Sequence, residues 1–211
     1  MIKWENEGDV RASHGADSFS QEAASVRLSG SESGEIATEL RQCRRLQCAE
    51  IDELATRYAI PRIALADFAV THVVFLDDNW FEFEKYSRAP AECAMAYVIP
   101  CLDHLGDLKD IAALSLDFDK VALWTRRVSM LGAENFFAPR IARPLTVHST
   151  PLEWLQANRD GVVIIDLPRA RGLLQSAGPL AVANAEFGLK LRNELTVAPP
   201  EILVIAPEVE P

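Results

Sequence analysis

Val73-Val74-Phe75-Leu76-Asp77-Asp78-Asn79-Trp80-Phe81-Glu82-Phe83-Glu84 is the stretch whose reading decides the fold. Four apolar residues run into Asp-Asp-Asn, and beyond it Phe81 and Phe83 alternate with Glu82 and Glu84. A period of two is what a strand with one buried face requires, and Asp and Asn tolerate the conformations of a tight turn. The stretch therefore predicts a β-hairpin. Working outward, an apolar run at 93–99 stops at Pro100, and a second hairpin is predicted from 111–116 and 121–124 around Asp117-Phe118-Asp119-Lys120. The first half of the sheet is expected to be mostly antiparallel.

The C-terminal third changes character. Residues 145–148 lead into Thr150-Pro151-Leu152-Glu153, which sets a capping hydroxyl, a proline at the first helical position and a glutamate at the third. A helix is predicted to about residue 158, then a break at Asp160-Gly161 and a short, fully apolar strand at 162–165. Pro168 opens another helical stretch, and 179–195 reads as a longer amphipathic helix with Leu180, Ala183, Phe187, Leu191 and Leu195 on one side. Residues 202–205 read as a last strand. The fold class is α+β: a mixed, mostly antiparallel sheet with N-terminal helices and a C-terminal β-α-β-α-α-β portion.

Two amphipathic helices precede the first hairpin. Ile36, Leu40 and Cys43 share one face, Ile51, Leu54, Ala55 and Tyr58 another, and Pro61 ends the second. Residues 1–34 carry few large apolars and are expected to form a mobile tail, with Trp4 as its one candidate anchor. A single domain over 35–206 and a short acidic tail at 207–211 complete the expected organisation.

The chain has 211 residues, 49% hydrophobic and 25% charged, enough for a core that needs no metal or disulfide support. Cys43, Cys48, Cys93 and Cys101 form no C-x-x-C pair and read as free thiols. No apolar run is long enough to span a membrane and no secretory leader is legible, so a cytoplasmic protein without membrane contact is expected. A net charge of -10 argues against general coating of nucleic acid.

Asp166 is the first candidate for chemistry, because it ends the 162–165 strand and precedes a helix, where open α/β sheets place ligand groups. Arg169 and Arg171 follow it, and His148 lies before the capping box, so a small hydrolase or ligand-binding enzyme would use Asp166 with Arg169 or His148. The same position suits an Asp that simply caps the helix. No glycine-rich phosphate loop, paired carboxylate or nucleophile elbow accompanies these residues. His104 with Cys101, Asp103 and Cys93 matches no zinc spacing, and no metal or cofactor is expected. His72 reads as half-buried packing at a strand start. Residues 51–68 have the outline of a helix-turn-helix, but a second helix carrying Ile63, Ala64, Leu65 and Ala66 offers base edges little beyond Arg62.

Charge is unevenly spread. Arg126, Arg127, Arg140 and Arg143 face a single acid, Glu134, and Phe136 and Phe137 lie among them. Arginines with aromatics suit a protein contact or a single strand of nucleic acid. Asp77, Asp78, Glu82, Glu84, Asp117 and Asp119 form an opposing acidic set, read as protection of a sheet edge.

His148-Ser149-Thr150-Pro151-Leu152-Glu153-Trp154-Leu155, Gly161-Val162-Val163-Ile164-Ile165-Asp166 and Pro199-Pro200-Glu201-Ile202-Leu203-Val204 resemble proteins of unassigned activity carried on plasmids and prophages of alphaproteobacteria. The resemblance covers the last third of the chain and implies a mobile-element accessory protein, with no catalytic residue attached. With no complete catalytic constellation, a mobile tail and separated acidic and basic surfaces, the leading expectation is a non-enzymatic protein acting by protein–protein interaction, with a partner that handles nucleic acid as one candidate.

Overall fold

The structure is a computed structural model, which describes residues 30–76, 79–89, 92–118, 120–137 and 143–196. Most of the expected N-terminal tail with Trp4, the strand at 202–205 and the acidic tail lie outside the described residues. The class is α+β with mixed, mostly antiparallel pairing, and the strands divide between two sheets.

The quoted hairpin forms as read. Strand β2 (Ala69–Leu76) pairs antiparallel with β3 (Trp80–Phe83), from Val73 opposite Phe83 to Leu76 opposite Trp80. The alternation has its predicted effect: Phe81 and Phe83 are buried and meet edge to face at 5.2 Å, while Glu82 is only partly covered. The second hairpin also forms, from β5 (Leu108–Ser115) and β6 (Lys120–Leu123). Between them in space lies β4 (Ala94–Leu102), antiparallel to both β2 and β5. It runs through Pro100 rather than stopping there. Pairing with β2 ends at Val98, so Pro100 lies where β4 has β5 alone as a neighbour, and a proline is tolerated at such an edge.

The pairings make a ring: β2 to β3, β3 to β6, β6 to β5, β5 to β4, and β4 back to β2. The parallel β3–β6 seam closes it with one residue pair, Trp80 opposite Leu123, helped by the Leu123 N–H donating to the Asn79 carbonyl at 2.9 Å. A two-residue strand, β1 (Arg44–Arg45), adds to the start of β2. Small side chains, Ala69, Ala96, Ala113 and Ala122, share the inward-facing core cluster with Phe81, Phe83 and Ile111. The helix α1 (Gly30–Gln42) covers that cluster with Ile36, Ala37 and Leu40, and begins ahead of the Glu35 at which the sequence pattern starts.

The second helix, α2 (Cys48–Tyr58), starts with the Gln47 N–H donating to the Glu50 carboxylate at 2.8 Å, while Arg44 donates twice to it at 2.7 Å. Asp117 in the β5–β6 turn accepts from Arg57 and from the Tyr58 hydroxyl, so it fastens the turn to α2 instead of guarding an edge. Asp77, Asp78 and Asp119 lie outside the described residues. After α2 only a four-residue 3-10 turn (Arg62–Leu65) stands where a recognition helix was outlined. It is too short to lie along a groove, and Ala64, Leu65 and Phe68 are buried in the core.

The second sheet has the order β10-β8-β9-β7. Strand β7 (Met130–Leu131) is antiparallel to β9 (Val162–Ile164); β8 (Leu145–His148) lies parallel to β9 and to β10 (Leu180–Ala181). Helix α3 (Pro151–Gln156) connects β8 to β9, and α4 (Leu167–Ser176) connects β9 to β10 across β8. Thr150 caps α3 by accepting the Glu153 N–H at 3.2 Å, and the Glu153 carboxylate reaches one residue beyond the expected box, to the Ser149 N–H. The amphipathic helix read at 179–195 is divided. Leu180 and Ala181 pair with Leu145 and Thr146 in the sheet, Asn184 caps by accepting the N–H groups of Glu186 and Phe187, and α5 (Ala185–Leu195) starts only there.

A single core cluster joins the two sheets. Leu54, Leu65 and Phe68 meet Ile99, Ala112, Leu114 and Leu123 on the outer face of the ring, and Trp154, Leu155 and Val163 complete the cluster from the C-terminal unit. This is why Ile111-Ala112-Ala113-Leu114 is buried on both faces and reads as an unbroken apolar run. A satellite core of Met130, Phe136, Leu145, Val147, Val162 and Leu174 lies on the far side of the second sheet.

Two chemical consequences are measurable. Gly161 has φ of 86°, and a Cβ there would lie 2.4 Å from the Thr146 carbonyl oxygen of the neighbouring strand. Gly161→Ala is expected to lower stability by about 2 kcal/mol or more in a urea unfolding curve. The hydrogen bonds from Arg44, then that from Gln47, hold the Glu50 carboxyl down at about 2. A carboxyl depressed in the folded state stabilises above its unfolded pKa and loses that effect as pH falls toward the folded value. The melting-temperature advantage of the native chain over Glu50→Gln should therefore shrink from about pH 5 to about pH 2.

Candidate functional site

Asp110 is fully buried in β5, opposite Cys101 of β4. Its carboxylate has three backbone donors. Oδ1 accepts from Ile111 and Thr125 at 2.8 Å each, and Oδ2 accepts from Arg127 at 2.7 Å. Bonds to an ionised acceptor are about twice as strong as neutral ones, which offsets the cost of burying it. Two of the donors belong to the loop 124–129 that leaves the ring at β6 and enters the second sheet at β7.

Pinned on both sides, Arg126 takes a left-handed backbone with φ of 57°. Arg169 on α4 approaches from the other direction and donates to the carbonyls of Arg126 and, at 3.3 Å, Arg127. Beyond them the Ser129 carbonyl accepts from both Ile165 and Asp166 at 2.9 Å, and the Asn79 side-chain amide donates to the Ile165 carbonyl at 3.1 Å. The loop thus seams the ring to the C-terminal unit. Arg126 and Arg127 are exposed, and the Arg126 guanidinium lies 5.5 Å from the centre of the Trp80 ring. Trp80 is itself fixed by its Nε1–H donating to the Trp124 carbonyl at 2.8 Å.

A cleft of about 290 Å³ opens beside this loop, at the carboxyl end of β9, lined by Asn79, Arg126, Asp166, Pro168 and Arg169 over Leu123 and Val128. Two of the three candidate catalytic residues, Asp166 and Arg169, meet there. Asp166 is the N-cap of α4 and accepts the Arg169 N–H at 3.1 Å, and the Arg169 guanidinium holds the loop carbonyls. His148 does not join them. Its Nε2 lies 2.7 Å from the Asp160 carbonyl oxygen, at the start of β9 and away from the cleft. The adjacent Ser149 hydroxyl donates to Glu153 at 2.7 Å, and that bond leads the interactions that hold the Glu153 carboxyl below its ordinary range.

The basic, aromatic stretch is divided by the fold. Arg126 and Arg127 belong to the loop and Arg143 is exposed, but Phe136 is buried in the satellite core and cannot meet a partner. Arg140 and the Phe137 side chain lie outside the described residues. Cys43, Cys48, Cys93 and Cys101 are free thiols, and Cys101 is sealed in β4, where burial above all pushes its pKa well up. Among the described residues no group of three His, Cys, Asp or Glu side chains could hold a metal ion. His72 lies within β2, exposed, its Nδ1 4.0 Å from Glu84.

Fold and site together define an α+β protein in which a ring of mainly antiparallel strands is locked to a parallel βαβ unit by an arginine-bearing loop. No family model, curated protein or solved structure matches the chain. No helix among the described residues is long and apolar enough to cross a membrane.

The loop's dependence on Asp110 can be measured. In Asp110→Asn one amide N–H₂ faces a backbone donor it cannot accept from. A buried donor left unsatisfied costs about 1–3 kcal/mol. Chemical denaturation should show a loss of that size, and amide exchange at Thr125 and Arg127 should quicken more than in β4.

Proposed function

We propose that this is a non-enzymatic accessory protein that binds another protein through the loop 124–129 and the adjoining cleft. The observation that carries this reading is the left-handed Arg126, fixed by Asp110 on one side and Arg169 on the other and stacked on Trp80. A strained backbone at a residue with a Cβ costs about 1–3 kcal/mol, persists only where its surroundings over-determine it, and clusters at sites of recognition. Arginine and tryptophan are the side chains most often found at the energetic centres of interfaces, and a pair already held in place loses little entropy on binding. The roles of Asp166, Arg169 and His148 in holding backbone groups add support. The resemblance of the last third to plasmid and prophage proteins suits a cytoplasmic accessory role on a mobile element, and a partner that handles nucleic acid fits that setting.

The test is affinity capture from the native host with the wild-type chain and with Arg126→Glu/Arg127→Glu. The wild type should recover a partner that the double variant loses, with the unfolding midpoint unchanged. Recovery of nothing above background, or equal recovery by both, would overturn the proposal.

The position of Asp166 in the 290 Å³ cleft gives the enzymatic reading a definite place as well. Asn caps a helix about as well as Asp, so Asp166→Asn is expected to keep stability within about 0.5 kcal/mol and to keep partner binding. A wild-type hydrolytic activity abolished in Asp166→Asn would instead favour the enzyme.

A further inference from the structure

A second cleft, of about 310 Å³, adjoins the same loop and is lined from the β4–β5 turn and α4. Its floor is apolar: Val128, Met130 and Ala133 are buried there and Leu173 of α4 forms a wall. Asp103, His104, Lys109, Arg127 and Arg169 make the rim. An apolar concavity with a few convergent polar groups is the ordinary form of a small-molecule site.

The rim charges are unequal in what already faces them. Asp103 is turned into its own turn, where Oδ1 accepts the N–H groups of Leu105 and Asp107 at 2.8 and 3.0 Å and Oδ2 faces Lys109 at 3.7 Å. Lys109 also meets Asp107 at 3.5 Å, so two acids match it. Arg169 differs. Its guanidinium donates to two backbone carbonyls, which fix its position without neutralising its charge. Asp166, nearby in sequence, lines the other cleft, and among the described residues its carboxylate accepts the Arg169 backbone N–H and not the guanidinium. The result is a full positive charge held rigidly at the edge of an apolar floor.

We propose that this cleft binds a small amphiphilic organic anion, with a carboxylate or phosphate-monoester head against Arg169 and a short apolar body on Met130, Ala133 and Leu173. The site does not depend on the partner-protein reading, and its test uses the isolated full-length chain. Hexanoate and hexyl phosphate would be titrated into ¹⁵N-labelled protein, with hexan-1-ol and acetate as comparators. Saturable shifts are expected at the amides of Ser129, Met130 and Ala133, and the tighter of the two anions identifies the head group. An uncharged head or a missing body should weaken binding by about fivefold or more. Arg169→Met should do the same. That variant also releases the loop, so Leu173→Asn, which leaves Arg169 and its carbonyl partners in place, is required to weaken hexanoate about fivefold at a temperature where the amide spectrum away from the cleft stays native. Absence of saturable shifts, hexan-1-ol binding as tightly as hexanoate, or unchanged affinity in either variant would overturn the proposal.

Discussion

One buried carboxylate organises the junction of this protein. Asp110 sits at zero exposure in β5, a strand with six of its eight residues buried, and its oxygens take the N–H groups of Thr125 and Arg127. A charge in that position is tolerable only while its donors remain in place. The donors belong to a loop whose carbonyls are held in turn by Arg169, on a helix 42 to 43 residues further along the chain. The ring, the loop and the C-terminal unit are therefore conditions for one another. The apolar cluster running from Leu54 through Leu114 to Val163 supplies area, and the Asp110 network supplies direction.

What the sequence made legible is local. The hairpin at 73–84, the capping hydroxyl of Thr150 and the apolar strand ending at Asp166 each announce themselves within a few residues, because period, turn chemistry and caps act over that range. Pro100 misled because its effect depends on where β2 stops pairing, which only the assembled sheet reveals. Residues 179–184 kept helical spacing by coincidence. Leu180 and Ala181 are held in a strand by Leu145 and Thr146, more than thirty residues earlier. Closure of the ring through Trp80 and Leu123 left no mark in the sequence at all.

The site was legible in the same uneven way. Asp166 and Arg169, close in sequence, line one cleft, and a helix cap describes the hydrogen bond that Asp166 makes. His148 was drawn off by the Asp160 carbonyl. Phe136 was read as a contact residue because aromatic character says nothing about which side of a chain faces the core. Asp110 was missed, although a signal existed: it is the one acid within Leu108-Lys109-Asp110-Ile111-Ala112-Ala113-Leu114. An acid inside a run destined for burial marks a place where backbone donors must converge.

The closing seam of the ring has a further meaning for the order of assembly. Trp80 and Leu123 are neighbours only because of a single parallel contact between strands forty residues apart in sequence, the kind of long-range closure that forms late. Trp80 is also the ring on which Arg126 rests, and the carbonyls of residues 126 and 127 wait for α4, which is synthesised later still. A nascent or truncated chain lacking α4 would carry every residue of the loop and, of its two supports, only the one from Asp110. The surface proposed for recognition is in this sense a certificate of completion, displayed in full only by molecules in which both halves have found each other.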